Sequence, residues 1–360
     1  MRRKVEILAS LTLTMYLLLF GCKQDIPPSV VATAELTKST SSGNKTAQPI
    51  TTSTPEVLSR IETEIPSPIK TKTSSPTSFP SFTFTPSPSP NSPPPCSAQL
   101  CTYEGHFYLS RPIEPLYNDR TDTTYRYGST QDGQRPTHHG VEFVNDEGIP
   151  VLASADGVVV VAGSDSQQAF ADYPFYYGNL VIIEHNFPQI DEPIFSLYGH
   201  LSDVLIEEGN IVKTGDVIGL VGHTGVADWS HLHFEVRAGE NRFYDTRNPE
   251  LWIQPHEDSN GELKGALAGR IMDEYGTPIH IPNIVIERFN DSGKAERLFY
   301  VESYADFSVN GDDEWKENFA VGDLPPGKYR VSFVARGLQT WEVMVYPGQV
   351  TVFVFDAGEE

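Results

Sequence analysis

From residue 100 onward the apolar residues fall in short runs of four to eight, each bounded by Gly, Asp, Asn or Pro. Val158-Val159-Val160-Val161, Leu180-Val181-Ile182-Ile183, Val217-Ile218-Gly219-Leu220-Val221 and Leu232-His233-Phe234-Glu235-Val236 are of this kind. Ile149-Pro150-Val151-Leu152 and Ile211-Val212-Lys213 are shorter versions. Runs so rich in β-branched residues, with turn residues between them, predict strands and leave little helical signal. Alternation continues after residue 261 in Ile284-Val285-Ile286-Glu287-Arg288, Tyr329-Arg330-Val331-Ser332-Phe333-Val334 and Val350-Thr351-Val352-Phe353-Val354-Phe355. There the Pro325-Pro326-Gly327 and Pro347-Gly348 turns set strand ends, and a small β-sandwich is expected. The predicted class is all-β, in two folded parts covering 96–256 and 261–360.

The first 95 residues read differently. Arg2, Arg3 and Lys4 precede an apolar stretch from Ile7 to Phe20, too short to span a membrane comfortably. Leu19-Phe20-Gly21-Cys22 closes it and resembles the lipobox of bacterial lipoproteins. That resemblance implies a signal segment over 1–22, a lipid on Cys22 and an extracytoplasmic, membrane-anchored protein. Residues 23–95 hold 14 of the 28 prolines, interleaved with Ser and Thr. Such a segment buries too little apolar area to offset its ordering entropy, so a disordered tether is expected. As a flexible coil it reaches about 50 Å, and as polyproline roughly 200 Å.

Charge narrows the function. The chain carries 26 basic and 48 acidic residues, for a net −22, and residues 96–360 account for −25. Nucleic-acid binding, which draws its affinity from phosphate neutralisation, is excluded. Tight adhesion to an anionic membrane surface is also disfavoured. Of three cysteines, Cys96 and Cys101 remain once Cys22 is set aside. A disulfide between them suits an exported protein; the spacing also fits half a metal site, for which no further cysteine exists.

Seven of the ten histidines fall between 138 and 233. In a strand, His231 and His233 share a face about 7 Å apart, with Leu232 and Phe234 facing a core. Upstream, His138-His139-Gly140-Val141-Glu142 offers an imidazole and a carboxylate, with Gly140 allowing a turn between them. His138, Glu142 and His233 together supply two nitrogens and one oxygen and leave a fourth position open, as a catalytic zinc requires. His139 replaces His138 if the register slips by one. His185, His223, His106, His256 and His280 are read as structural or solvated, and Glu235 as a hydrogen-bonding support. Tyr173 to Tyr177 either lines a groove or covers the core.

These motifs resemble the lysostaphin/LytM-type zinc endopeptidases. The likeness rests on His138-x-Gly140-x-Glu142, Tyr198-Gly199-His200-Leu201-Ser202, Gly222-x-Thr224-Gly225, His231-x-His233-Phe234-Glu235 and the closing Asn248-Pro249. It runs over residues 135–252. It implies a LytM-type antiparallel sheet, a Zn(2+) cofactor and cleavage of peptide bonds in peptidoglycan. His138, Glu142 and His233 become zinc ligands. His200 and His231 flank the water, as general base or as stabilisers of the oxyanion. Glu142 departs from the family, which has Asp there. A wall-binding or hydrolase-activating module without catalysis is the alternative. Gly269-Arg270-Ile271, Asp273 to Pro278 and Leu324 to Tyr329 resemble a carboxypeptidase-regulatory, transthyretin-like sandwich, which implies a spacer or adhesion role.

Overall fold

The computed structural model describes residues 93, 96–290, 292–304 and 306–358. The expected signal segment, Cys22 and nearly all of the expected tether lie outside them. Among the described residues there is no α-helix, only two short 3-10 turns at Phe243–Asp245 and Pro249–Leu251. The first lobe holds β2 to β11 and the second β12 to β18, with β1 (Leu100–Glu104) ahead of both.

In the first lobe the strands are β2 (Val141–Val144), β3 (Pro150–Leu152), β4 (Gly157–Ser164), β5 (Asn179–His185), β6 (Ile194–Leu201), β7 (Asp203–Val204), β8 (Ile211–Val212), β9 (Val217–Leu220), β10 (His231–Ala238) and β11 (Thr246–Arg247). Seven of them form one antiparallel sheet in the order β11-β10-β6-β5-β4-β8, with β2 also paired to β10. A small sheet of β3, β9 and β7 packs nearby. The continuous apolar run of β5 explains why the large sheet is buried on both faces. Val181 and Ile183 enter one cluster with Tyr198, Leu232 and Phe234, whereas Leu180 and Ile182 enter another with Tyr177, Phe195 and Leu197. A histidine on β10 therefore points into protein whichever way it faces.

The second lobe contains β12 (Gly265–Met272), β13 (Ile284–Phe289), β14 (Ala295–Val301), β15 (Phe319–Leu324), β16 (Gly327–Val334), β17 (Leu338–Val345) and β18 (Gln349–Asp356). Two four-stranded sheets, β1-β18-β12-β15 and β14-β13-β16-β17, enclose a core of Leu267, Ile271, Ile286, Phe319, Tyr329, Val331, Phe333 and Phe353. This is the expected β-sandwich. Its β12–β18 pair runs parallel.

Two features of the join go beyond the sequence reading. β1, expected within the first lobe, instead pairs antiparallel with β18 over all five residues, from Leu100 opposite Phe353 to Glu104 opposite Gln349. Tyr103 anchors it against Trp315, ring centres 5.9 Å apart. Cys96 and Cys101 form a disulfide at its start. The lobes also share an apolar cluster. Alternation along β12 sends Leu267 into the sandwich core and the small Ala266 and Ala268 into the cluster of the first lobe, which also holds Leu109 and Trp252.

Polar groups at this join are buried as well. Tyr127 of the first lobe meets Tyr304 of the second edge-on, and the Tyr304 hydroxyl donates to Glu317 at 2.6 Å. Burial, and after it the Asp312 carboxylate, pushes the Glu317 carboxyl up to about 8, against the hydrogen bond from Tyr304. The fold thus favours the neutral acid. This contribution is complete below the unfolded value of 4.5 and is lost as pH rises through about 8. Thermal unfolding midpoints should therefore fall between pH 5 and 8 by an amount equivalent to a few kcal/mol at most, after allowance for other groups. Glu317→Gln should flatten that slope; an unchanged slope would show that Glu317 is ionised in the fold.

Candidate metal centre

β10 carries four polar side chains at alternate positions, His231, His233, Glu235 and Arg237, all buried. Its pairing with β2 sets His233 directly opposite Glu142, and its pairing with β6 sets His233 opposite Gly199. His138 arrives from the loop before β2. Gly140 is needed there for close approach: a Cβ would collide with the Phe234 carbonyl oxygen and crowd the His233 ring. Its φ is not positive, so the glycine serves packing against β10 and not the turn expected from sequence.

Three atoms converge. His138 Nε2 lies 2.9 Å from Glu142 Oε1, His233 Nδ1 lies 3.2 Å from the same oxygen, and the two nitrogens are 3.3 Å apart. An ion with tetrahedral bonds of about 2.0–2.1 Å spaces its ligand atoms at about 3.3 Å. The supporting hydrogen bonds fix the tautomers. His138 Nδ1 donates to the Tyr125 carbonyl at 2.8 Å, and His233 Nε2 donates to Glu235 at 3.1 Å. Each neutral ring therefore turns a lone pair towards the Glu142 carboxylate. Three acceptors facing one point repel one another unless a cation lies between them. A metal ion satisfies this donor set, and two imidazoles with a carboxylate are ligands that zinc accepts.

His200 and His231 border the cluster, with ring centres 4.9 Å apart. Each donates Nδ1–H to a backbone carbonyl at 2.8 Å, His200 to Thr224 and His231 to Trp229. His231 Nε2 sits 2.7 Å from Glu142 Oε2, a buried oxygen that has no aligned donor. His200 occupies the left-handed region with φ of 62°. A non-glycine residue there costs on the order of 1–2 kcal/mol, and such strain collects at functional sites. Burial, followed by the neighbouring His233 and His231, pushes the His200 pKa down to about 3, so the ring is neutral.

Residues 136–245 match the family described as Peptidase family M23. Peptidoglycan DD-endopeptidase ShyB of Vibrio cholerae is 35% identical over 128 residues, 36% of this chain and 26% of that protein. DD-carboxypeptidase/endopeptidase Mpg of Neisseria meningitidis is 40% identical over 131 residues, 35% of this chain and 26% of that protein. Murein hydrolase activator NlpD of Escherichia coli is 33% identical over 111 residues, 31% of this chain and 24% of that protein. The chain spans about a quarter of the length of these curated relatives. Family M23 peptidases are zinc metallopeptidases, and a cluster of His138, Glu142 and His233 lies in the matched stretch of this chain.

The remaining histidines separate cleanly. His139 turns away from the cluster, stacks on Phe243 at 3.7 Å and bonds its carbonyl. His185 bridges Ser196 and the Asp156 carbonyl, and His223 is exposed beside Glu147. His106 stacks between Trp252 and Trp315, His256 meets Asp119 and Asp323, and His280 bonds the Ser303 carbonyl. The segment from Tyr173 to Tyr177 divides: Tyr177 is buried and donates to Glu235 at 2.5 Å, whereas Tyr173 and Phe175 are exposed. Three contributors were absent from the sequence reading. Tyr125 stacks on His138 at 4.0 Å, Trp229 fixes His231 through its carbonyl, and Arg135 sits 5.2 Å from the Tyr125 ring and 5.1 Å from the Trp229 ring. Their one sequence signal is proximity to the histidine motifs.

Proposed function

We propose that this chain is a lipid-anchored, extracytoplasmic zinc endopeptidase that cleaves peptide bonds in peptidoglycan. The observation that carries this reading is the convergence of His138 Nε2, Glu142 Oε1 and His233 Nδ1 on one point. These three would hold the zinc ion. When bound, zinc acts as a Lewis acid towards the scissile carbonyl and makes water acidic enough to serve as nucleophile near neutral pH. His231 Nε2 lies beside Glu142 and the His200 ring lies against those of His231 and His233, so each can take a proton from the attacking water or hold one against the developing oxyanion. Glu142 Oε2 lies 2.7 Å from His231 Nε2, within reach of a proton carried there. The backbone carbonyls of Thr224 and Trp229 keep both rings from turning. The names of ShyB and Mpg support peptidoglycan as substrate. The Leu-Phe-Gly-Cys22 motif supports the anchor, and we read the C-terminal sandwich as a transthyretin-like spacer.

A second reading is a hydrolase activator without chemistry of its own. It is favoured by the likeness to NlpD and by Glu142 standing where Asp is usual. Digestion of purified peptidoglycan by the zinc-loaded protein, with products read by mass spectrometry, separates the two. Wild type should release new amino termini. His231→Ala should retain zinc and lose activity by about 100-fold or more, the scale of general acid–base catalysis. Full activity in His231→Ala would remove its assigned role. No cleavage by metal-loaded wild type would favour the activator.

A further inference from the structure

A cavity of about 300 Å³ opens where the two lobes meet. Arg120 and Arg126 line it from the first lobe, and Lys264 and Arg297 from the second. Asp323 is the one carboxylate among its lining residues. Four cations around one carboxylate stand out in a chain with 48 acidic and 26 basic residues.

The nearby carboxylates are already committed. Asp323 accepts from Arg111 at 2.6 Å and from the His256 amide and ring at 2.8 Å. Glu250 is paired with Arg126 and accepts from the Gly322 amide at 2.6 Å. Among the described residues, Arg120, Lys264 and Arg297 have no ion-pair partner, and Lys264 is half-buried. Arg297 lies 4.7 Å over the Phe299 ring and, on the edge strand β14, faces another arginine, Arg288, across the ladder. Like charges opposed in a sheet are destabilising. Burial, and then the neighbouring guanidiniums of Arg120, Arg111 and Arg297, lowers the Lys264 pKa against the pull of Asp323. Arg120 and Arg297 are exposed, so their donors, with that of half-buried Lys264, are open to an anion entering from solvent.

We infer that the inter-lobe cavity lined by Arg120, Lys264 and Arg297 binds a phosphate monoester, of the sugar-phosphate or polyol-phosphate class. Three unpaired cations match a group with nearly two charges and three terminal oxygens better than they match a carboxylate. Guanidiniums fork onto phosphate oxygens, and Lys264 adds a point charge. The hydroxyls of Thr121 and Thr123 supply neutral donors, and the exposed face of Tyr300 suits a sugar or polyol. The cavity's field extends only about 10 Å at 0.1 M ionic strength. A small anion inside the cavity therefore senses the four lining cations more than the net −25 of residues 96–360.

The test is calorimetric titration of the purified full-length protein with inorganic phosphate, glycerol 3-phosphate and acetate. EDTA is present throughout, so phosphate coordination to a bound metal does not contribute. Both phosphates should bind with about millimolar or tighter affinity and acetate should not. Arg297→Gln should weaken binding about tenfold, and adding Lys264→Gln should abolish it. Arg297 is exposed, so that single variant keeps the test alive if the double variant unfolds. Equal affinity for acetate, unchanged binding in Arg297→Gln, or binding only to phosphatidylglycerol vesicles would each overturn the inference. Peptidoglycan cleavage does not enter the readout, so the outcome stands apart from that of the metal centre.

Discussion

Glu142→Gln should leave a folded protein that no longer holds zinc. Glu142 Oε1 is the atom shared by both short contacts, to His138 Nε2 and to His233 Nδ1. The amide removes the negative charge and offers an N–H to one of the two imidazole lone pairs. Its neighbours then lack the repulsion that calls for a cation. Loss of a residue that only supports a ligand costs about 10–100-fold in metal affinity, so loss of the carboxylate itself should exceed about 100-fold. The metal-free fold should not suffer, because a confrontation of acceptors becomes a hydrogen bond. Competition with a chromogenic chelator measures the affinity. Thermal shift gives a second check: zinc at 1,000 times its dissociation constant should stabilise wild type by about 4 kcal/mol and the variant hardly at all. A variant that binds zinc like wild type would mean that the ion sits elsewhere.

Glu235→Ala should instead damage the fold, and the metal site with it. Glu235 is fully buried and joins three partners: Arg237 Nε at 2.8 Å, the Tyr177 hydroxyl at 2.5 Å and His233 Nε2 at 3.1 Å. Burial would raise its pKa, but Arg237 and His233 hold it down at about 2, so it is ionised. Arg237 has no exposed surface and passes its remaining donors to Tyr177, Asn241 and the Phe170 carbonyl. Removing the carboxylate strands that guanidinium in the protein, which costs about 3–5 kcal/mol. It also frees the His233 ring to change tautomer, at a further cost of about 10–100-fold in zinc affinity. Urea unfolding of the metal-free proteins isolates the first effect and chelator competition the second. A loss below 1 kcal/mol would show that water reaches Arg237 or that the group is not charged.

These effects differ in how far the sequence foretold them. Strand parity puts His231 and His233 on one face, and it extends to Glu235 and Arg237, whose polar repeat would ordinarily be assigned to solvent. Their burial follows from the second apolar cluster under the sheet, built around Leu180, Ile182 and Tyr177, and no local pattern announces it. Glu142 meets His233 because β2 pairs with β10, a contact between residues about ninety apart. Motif spacing foreshadowed it, but hydrophobic period did not. His200 was legible as a motif member and illegible as a strained residue, since left-handed backbone at a histidine has no compositional mark. Backbone carbonyls at Tyr125, Thr224 and Trp229 orient three imidazoles, and a carbonyl is present at every residue, so sequence cannot single them out. The docking of β1 on β18 joins the two ends of the described chain and was likewise beyond local signals.

That docking also decides where a mechanical load enters. Tension along the chain from the N-terminal side reaches Cys96 first, and the disulfide carries it straight to Cys101, bypassing the four residues between. From there it passes into β1 and is shared with β18 across five paired positions. The second lobe therefore bears the strain before the first does. The histidines of the first lobe lie downstream, behind the ladder, the Tyr103–Trp315 contact and the shared apolar cluster. The 3 Å spacings of the first lobe therefore lie behind β1 in the order in which such a load is taken up.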